Sequence, residues 1–314
     1  MKYIKKFDSH SNYAAFLQTA NYITPNVSLC VTENEVHYNP APSYNLLDIL
    51  YSDANGKLSV DSNVLPTSEG KTPIGLCVAA TGFFGPYEPA RFMSLKWMNY
   101  TTPESGSTSV QAMKMGQYGV DIATIPNITK TYSNGSSWGY LTADWITGTD
   151  NKIPSLFTDE SKKTWNTSVL GTVNEFAVTD INGKAKTIKW VAAATAQPNW
   201  KTDSTITNSQ ESGYSPAACC CYRYHTLGTS AGDWYLGAGG EMAMINVLRD
   251  EINTKLTAIN AVYSDTCISS VSDAGIWSST EYGSYDAYSI KTNNGSIDYI
   301  DKNIDRRVLA LFAY

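Results

Sequence analysis

The C-terminal stretch WSSTEYGSYDAYSIKTNNGSIDYIDKNIDRRVLALFAY, residues 277–314, decides how this chain is read. Between Tyr282 and Asp305 it holds four tyrosines, four aspartates, three asparagines, three serines and four isoleucines, followed at once by the apolar run Val308 to Phe312. Asn293-Asn294-Gly295 is a hairpin turn signal that joins a strand over Ala287 to Thr292 with one over Ser296 to Lys302. A period of two sets Tyr288, Ile290 and Thr292 on one face and Ser289 and Lys291 on the other, so that one face can pack while the other meets solvent. Tyr288 and Ile297 are expected to point inward. Such a mixture suits either a polar hairpin at a sheet edge or a surface built for display.

Upstream of this segment lies the clearest helical signal, Glu241 to Ile259, in which Met244, Ile245, Leu248, Ile252, Leu256 and Ile259 keep to one face. Ser215-Pro216 pairs a cap residue with proline at the first helical position and predicts a short helix through Tyr224. IGLCVAATGFFG, from Ile74, is a buried-strand pattern ending in glycines, and RFMSLKWMNY, from Arg91, is a second strand. The stretch from Thr101 to Ser212, rich in Gly, Asn, Thr and Trp, predicts long loops with little helix beyond a turn at YLTADWI.

At the N-terminal end, residues 1–40 read as a small module. It comprises a short helix from Tyr13 to Ala20 capped by Ser9 or Ser11, then two strands in NVSLCVTENEVHYNP about a Glu33-Asn34 turn. Residues 41–65 alternate turn signals with strand-like pieces, including an Asn55-Gly56 hairpin signal, and read as a connecting segment. The main domain is expected over 66–314, with the fold class α+β.

Composition narrows the function. The 314 residues are 42% hydrophobic and 12% aromatic, enough for a sizeable core. A net charge of −6 with 23 Lys and Arg leaves no basic stripe for a phosphate backbone or an anionic bilayer, so neither nucleic acid nor membrane insertion is expected. Charged residues make up only 17% while tyrosines number 21, a balance that favours hydrogen bonding and ring contacts over salt bridges. The start MKYIKKFDSHSNYAAFLQ has no apolar core or cleavage site of a secretory signal, so synthesis in the cytoplasm is expected. The six cysteines, Cys30, Cys77, Cys219, Cys220, Cys221 and Cys267, lack Cys-x-x-Cys spacing and read as buried small apolar residues.

DWYLGAGGEMAMI, followed after a helix by GIWSSTEYGSYDAYSIKTNNGSIDYIDKNIDRRVLALF, resembles the C-type-lectin-type fold of the formylglycine-generating-enzyme branch. The likeness is to the form found in variable proteins of diversity-generating retroelements. YIKKF, NVSLCVTENEVHYNP and SPAACCCYRYHTLGT are similar to proteins of phages and prophages of Bacteroides-like gut bacteria. In such systems a reverse transcriptase miscopies adenines, so that Asn codons scatter among Tyr, Asp, Ser, Gly, Ile, Arg and similar residues. The resemblance implies a variable ligand-binding face at Gly283, Tyr285, Asp286, Ser289, Ser296, Asp298, Tyr299, Ile300, Asp301, Asn303, Ile304, Asp305 and Arg306. Lys291 is not reachable from those codons. Trp277, Glu281, Arg307 and the strand Val308 to Phe312 would be the scaffold, with Arg307 a candidate partner for Glu281.

The same resemblance implies a virion surface protein, a fibre or tip subunit that binds a bacterial cell-surface receptor, glycan or protein. It would attach to other virion proteins through the N-terminal module and would be compatible with a homotrimer. The rival role is a structural decoration of head or tail. An enzyme is not expected. Formylglycine-generating enzymes use a pair of late cysteines, whereas only Cys267 follows Cys221 here. Three histidines, His10, His37 and His225, do not make a rich metal centre, and no His-Glu-x-x-His, Gly-x-Ser-x-Gly or phosphate loop occurs. No catalytic residue, metal or cofactor is assigned.

Overall fold

The computed structural model describes residues 3–6, 29–32, 35–38, 43–84, 88–122, 124–125, 158–159, 164–165, 180–195, 215–272, 275–293 and 297–314. In chain order the strands are β1 (Tyr3–Lys6), β2 (Leu29–Thr32), β3 (Glu35–Tyr38), β4 (Ile49–Asp53), β5 (Leu58–Asp61), β6 (Lys71–Ala79), β7 (Arg91–Ser94), β8 (Thr158–Asp159) and β9 (Thr164–Trp165). There follow helices α1 (Gly183–Thr195) and α2 (Pro216–Arg223), strand β10 (Trp234–Leu236), helices α3 (Gly239–Val247) and α4 (Arg249–Val262), and strands β11 (Gly275–Glu281), β12 (Asp286–Lys291), β13 (Ile297–Asp301) and β14 (Ala310–Ala313). All strand pairing is antiparallel, in sheets ordered β1-β3-β2, β10-β14-β7-β6-β4-β5, β11-β12-β13 and β8-β9. The α+β class is thus as expected. The predicted helix Tyr13 to Ala20 and the turn YLTADWI lie outside the described residues.

Apart from the half-buried edge strand β5, the six-stranded sheet is buried on both faces, which is why β6 reads as a continuous apolar run from Ile74 instead of an alternating one. Ile49, Tyr51, Leu76, Val78, Met93, Tyr235 and Leu311 enter one core. Leu50, Cys77, Phe92, Trp234, Leu236, Ala310 and Phe312 enter the other. Ile74 joins the second core although Leu76 joins the first. The β4–β6 register slips between Leu50 and Tyr51, and this bulge reverses the facing of Ile74. Helices α3 and α4 cover the first core, and α1 and α2 the second.

Three boundaries depart from the sequence reading. β4 and β5 pair with each other about the Asn55-Gly56 turn, where Gly56 has φ +78°, and β4 also pairs with β6. Residues from 49 onward are therefore part of the main sheet, not a connection between modules. The predicted helix Glu241 to Ile259 is two helices, broken at Leu248 (φ −98°, ψ 16°). Its apolar stripe runs through the break into one core, so periodicity could not show it. Helix α1 stands inside the stretch read as loop. Its inward stripe is Lys186, Thr187, Trp190 and Ala194, in which a lysine and a threonine take positions normally apolar.

The cysteines follow the expectation where they are described. Cys77, Cys219, Cys220, Cys221 and Cys267 are free and buried, and burial pushes the thiols of Cys77, Cys219 and Cys267 up to about 12. Among the described residues no helix is long and apolar enough to cross a membrane.

Candidate binding face

The hairpin read from Asn293-Asn294-Gly295 is present, with Asp286 opposite Asp301, Ala287 opposite Ile300, Tyr288 opposite Tyr299, Ser289 opposite Asp298 and Ile290 opposite Ile297. Opposed residues share a face. Tyr288, Ile290 and Ile297 enter the first core, where half-buried Tyr299 packs against them. Ala287 enters the second, where half-buried Ile300 joins it. The prediction of one packed and one exposed face is therefore corrected: β12 is buried on both sides, because it lies between the two cores.

Ser289 is the clearest casualty. It is fully buried opposite Trp277, and its Oγ has no hydrogen-bond partner among the described residues. It is not part of an accessible face. Ser296 lies outside the described residues. Asp298 is half-buried and 3.6 Å from Lys291 Nζ. Arg306 lies back across β11, its Cδ 2.4 Å from where a Cβ on Gly275 would stand.

The remaining positions come together where β11 turns into β12 and β13 ends. Tyr285 is 52% exposed and Ile304 37% exposed, with Asp301 and Asp305 also exposed and Gly283, Asp286 and Asn303 half-buried. Backbone bonds tie them: Lys302 N–H donates to the Tyr285 carbonyl at 2.9 Å, Gly283 N–H to Asp286 at 3.2 Å, and Ile304 N–H to Asp301 at 3.0 Å. Tyr299 stacks on Tyr282 at 4.1 Å with planes 12° apart. Burial and the adjacent Asp301 carboxyl together raise the Asp286 pKa.

Between exposed Asp301 and half-buried Asn303 stands Lys302, fully buried. Its ammonium pairs with Glu281, also fully buried, donates to the Val120 carbonyl at 2.7 Å and lies 5.3 Å from the centre of the Trp190 ring. Glu281 Oε1 accepts a further bond from Ile122 N–H at 3.3 Å. Burial raises the Glu281 pKa and lowers that of Lys302, each opposed by the partner's charge. The expected partner Arg307 lies elsewhere, 5.4 Å over the Trp97 ring, because its backbone is fixed between Gly275 and Trp277.

Glu281 belongs to a polar run, Ser278 to Glu281, that is buried throughout. The β11–β12 register explains how. Trp277 faces Ser289 and Glu281 faces Ala287, so β11 carries two residues more than β12 over this interval and bulges away from it. The bulge docks on the helices. Trp190 Nε1 donates to the Ser279 carbonyl at 3.1 Å, Thr280 Oγ1 to Asp180 at 2.5 Å, and Gly239 N–H to Thr280 Oγ1 at 2.9 Å. Asp180 also pairs with buried Lys186. Nearby, Glu241 accepts from Arg91 Nε at 2.7 Å, Tyr235 hydroxyl at 2.9 Å, Ala238 N–H at 2.9 Å and Gly183 N–H at 3.0 Å. Ser279 Oγ and Glu281 Oε2 are buried without a hydrogen-bond partner among the described residues, whereas the groups that are satisfied fix one arrangement of the elements that meet there.

Sequence reasoning missed the loop 113–122. Its backbone is bonded to the C-terminal segment along its length: Met113 with Arg306 in both directions, Met115 and Gly116 N–H to Lys302, and Gly119 N–H to Ser284. Trp277 Nε1 caps Met113 at 2.8 Å. Tyr118, 45% exposed, sets its ring 4.8 Å from that of Tyr285. No local pattern in QAMKMGQYGVD marks this, because its pairing is with residues far along the chain. Among the described residues no three His, Cys, Asp or Glu side chains are grouped to hold a metal ion.

The sequence matches no family model and no curated protein. Among solved structures, a fimbrial protein from Bacteroides ovatus ATCC 8483 shows similarity, with a TM-score of 0.44 and 14% identity over 86% of this chain. The match covers 49% of that protein, so the chain spans about half its length.

Proposed function

We propose that this chain is a phage virion surface protein, a fibre or tip subunit, whose C-terminal segment is a hypervariable receptor-binding face on a C-type-lectin-like scaffold. The face is Tyr285, Asp286, Asp301, Asn303, Ile304 and Asp305, with Gly283 and Tyr299 at its border. One observation carries the reading: within a single short segment, exposed residues of exchangeable type, Asp301, Ile304 and Asp305, stand beside the wholly buried Lys302, with Asn303 half-buried between. Side chains can change at the first kind without disturbing the second. Tyrosine suits such a face, since it offers large contact area and a hydroxyl at small entropic cost. On this reading the chain is not an enzyme, its receptor is a glycan or protein on a bacterial surface, and residues 1–40 attach it to the virion.

A structural virion role is favoured by one feature. β13 ends its sheet, with β12 on one side and no strand on the other among the described residues, and such an edge can accept a neighbouring subunit. Sequencing this locus from several related phages separates the two. Recognition predicts changes at adenines of a nearby template copy, confined to codons 283, 285, 286, 296, 298–301 and 303–306 and sparing Lys302 and Glu281. An invariant segment favours the structural role.

A further inference from the structure

Tyr282 is none of the exchangeable positions, whereas Tyr299, whose ring lies flat against it, is one. We propose that the Tyr299 ring plugs a slot built by Tyr282 and Tyr288, and that exchange of Tyr299 for a small side chain opens this slot to an aromatic side chain of a protein receptor. The inference rests on the recognition reading and adds to it a fixed pocket and one class of ligand.

Three rings define the slot. Tyr299 stacks on Tyr282 with ring centres 4.1 Å apart and planes 12° from parallel. It meets Tyr288, its direct neighbour across the β12–β13 pair, edge to face at 6.3 Å and 88°. Tyr282 and Tyr288 meet edge to face as well, at 5.9 Å and 76°. Two constant rings thus form a corner, Tyr282 the wall and Tyr288 the floor, and Tyr299 is its occupant. The corner has supports of its own. Tyr288 is fully buried in the first core, and Tyr282 packs against the same core while its N–H donates to the Asp286 carbonyl at 3.1 Å. Tyr299 is only half-buried, so the place its ring fills borders solvent.

The occupant indicates the ligand. A flat ring in this corner meets one aromatic face in parallel and one at right angles, the two arrangements that aromatic pairs prefer. The side chains of Tyr282 and Tyr299 are also hydrogen-bonded, so a phenol entering from outside finds a polar partner already in place. A sugar would press hydroxyls against the buried Tyr288 ring, where they lose water without replacement. Serine, glycine and aspartate, all within reach of adenine changes at position 299, are smaller than tyrosine and withdraw the plug. Apolar space vacated among packed rings takes up a ring of about the size removed.

The test titrates p-cresol, a tyrosine side chain without its backbone, into the full chain and into Tyr299→Ser, following binding by NMR. Expected is roughly millimolar binding to Tyr299→Ser, as suits so small a ligand, and binding at least about tenfold weaker to the parent, whose slot is filled. Tyr282→Leu added to Tyr299→Ser should abolish it, whereas Leu227→Ala, at an exposed apolar residue of another loop, should not. Equal binding to parent and Tyr299→Ser, or binding that survives Tyr282→Leu, overturns the slot. Methyl β-D-glucopyranoside bound in place of p-cresol overturns the ligand class. Tyr299→Asn repeats the measurement if the serine variant does not fold, and failure of both to fold would make Tyr299 a fixed core residue and overturn the proposal. None of these outcomes depends on variation at the locus: an invariant locus removes the recognition reading, whereas an unresponsive Tyr299→Ser removes only the slot.

Discussion

Lys302 and Glu281 form an ion pair in which neither side chain reaches solvent, on a segment where Asp301 and Ile304 are exposed. The pair joins the end of β11, the chain after β13 and the loop 113–122. Removing one partner strands a buried charge, which costs about 3–5 kcal/mol, whereas replacing both with apolar groups of similar volume is far milder. Lys302→Met should therefore lower stability to denaturant by roughly that amount. Lys302→Met with Glu281→Leu should recover most of it. A double variant no better than the single one would show that the pair does not act as a unit.

Ser289 has an exchangeable residue type at a position with no room for exchange. Its hydroxyl is buried without a partner among the described residues, and leaving such a group unpaired costs about 1–3 kcal/mol. Ser289→Ala is expected to be neutral or to stabilise by up to about 1 kcal/mol, whereas Ser289→Tyr should prevent native folding, since interiors are close-packed. Circular dichroism melts of the two variants check this. A well-folded tyrosine variant would mean that the space opposite Trp277 is open.

At Gly183 the demand is steric. A Cβ there would stand 2.4 Å from Glu241 Oε2 and 2.5 Å from Ala238 N. Gly183→Ala should therefore displace the carboxylate that gathers Arg91, Tyr235 and Ala238. The expected loss, measured by denaturant unfolding, is at least the 1–3 kcal/mol usual for overpacking. Alanine is otherwise the better helix former, so a stabilised variant would contradict the placement of α1.

Asp286 gives a pH dependence. Its folded pKa is raised, first by burial and then by Asp301, so its ionisation opposes folding. The contribution it makes is fully present below the unfolded value of about 3.9 and is lost as pH rises through the higher folded value. Asp286→Asn should thus melt like the parent near pH 3 and increasingly above it as pH rises towards neutrality, an effect that salt screens. A variant less stable than the parent at pH 7 would reverse the sign and refute the like-charge account.

The parts of the fold that could be read in advance are those encoded by local pattern. The hairpin followed from Asn293-Asn294-Gly295, helix α2 from Ser215-Pro216, the β4–β5 turn from Asn55-Gly56, and β6 from its unbroken apolar run. What escaped was set by distant contacts. Helix α1 hid because Lys186 and Thr187 fill core positions by pairing with Asp180 and the Leu236 backbone. The burial of Ser289 and of Ser278 to Glu281 depends on a bulge and on two cores meeting across one small sheet. The exposed positions Tyr285, Asp301, Ile304 and Asp305 were named from the resemblance, whereas Tyr118 became visible only once its loop was seen against Ser284 and Lys302.

The central claim is that the exposed residues around Tyr285 recognise a bacterial surface while the buried ones merely hold them. It is tested most directly by comparing the parent with a variant carrying Tyr285→Ala, Asp301→Ala, Ile304→Ala and Asp305→Ala. Both would be measured for melting temperature and for adsorption to a panel of gut bacterial strains. The account predicts that the variant melts within a few degrees of the parent, as surface substitutions do, and loses adsorption to the strain the parent binds. Adsorption that survives all four changes, or a variant that no longer folds, would contradict it.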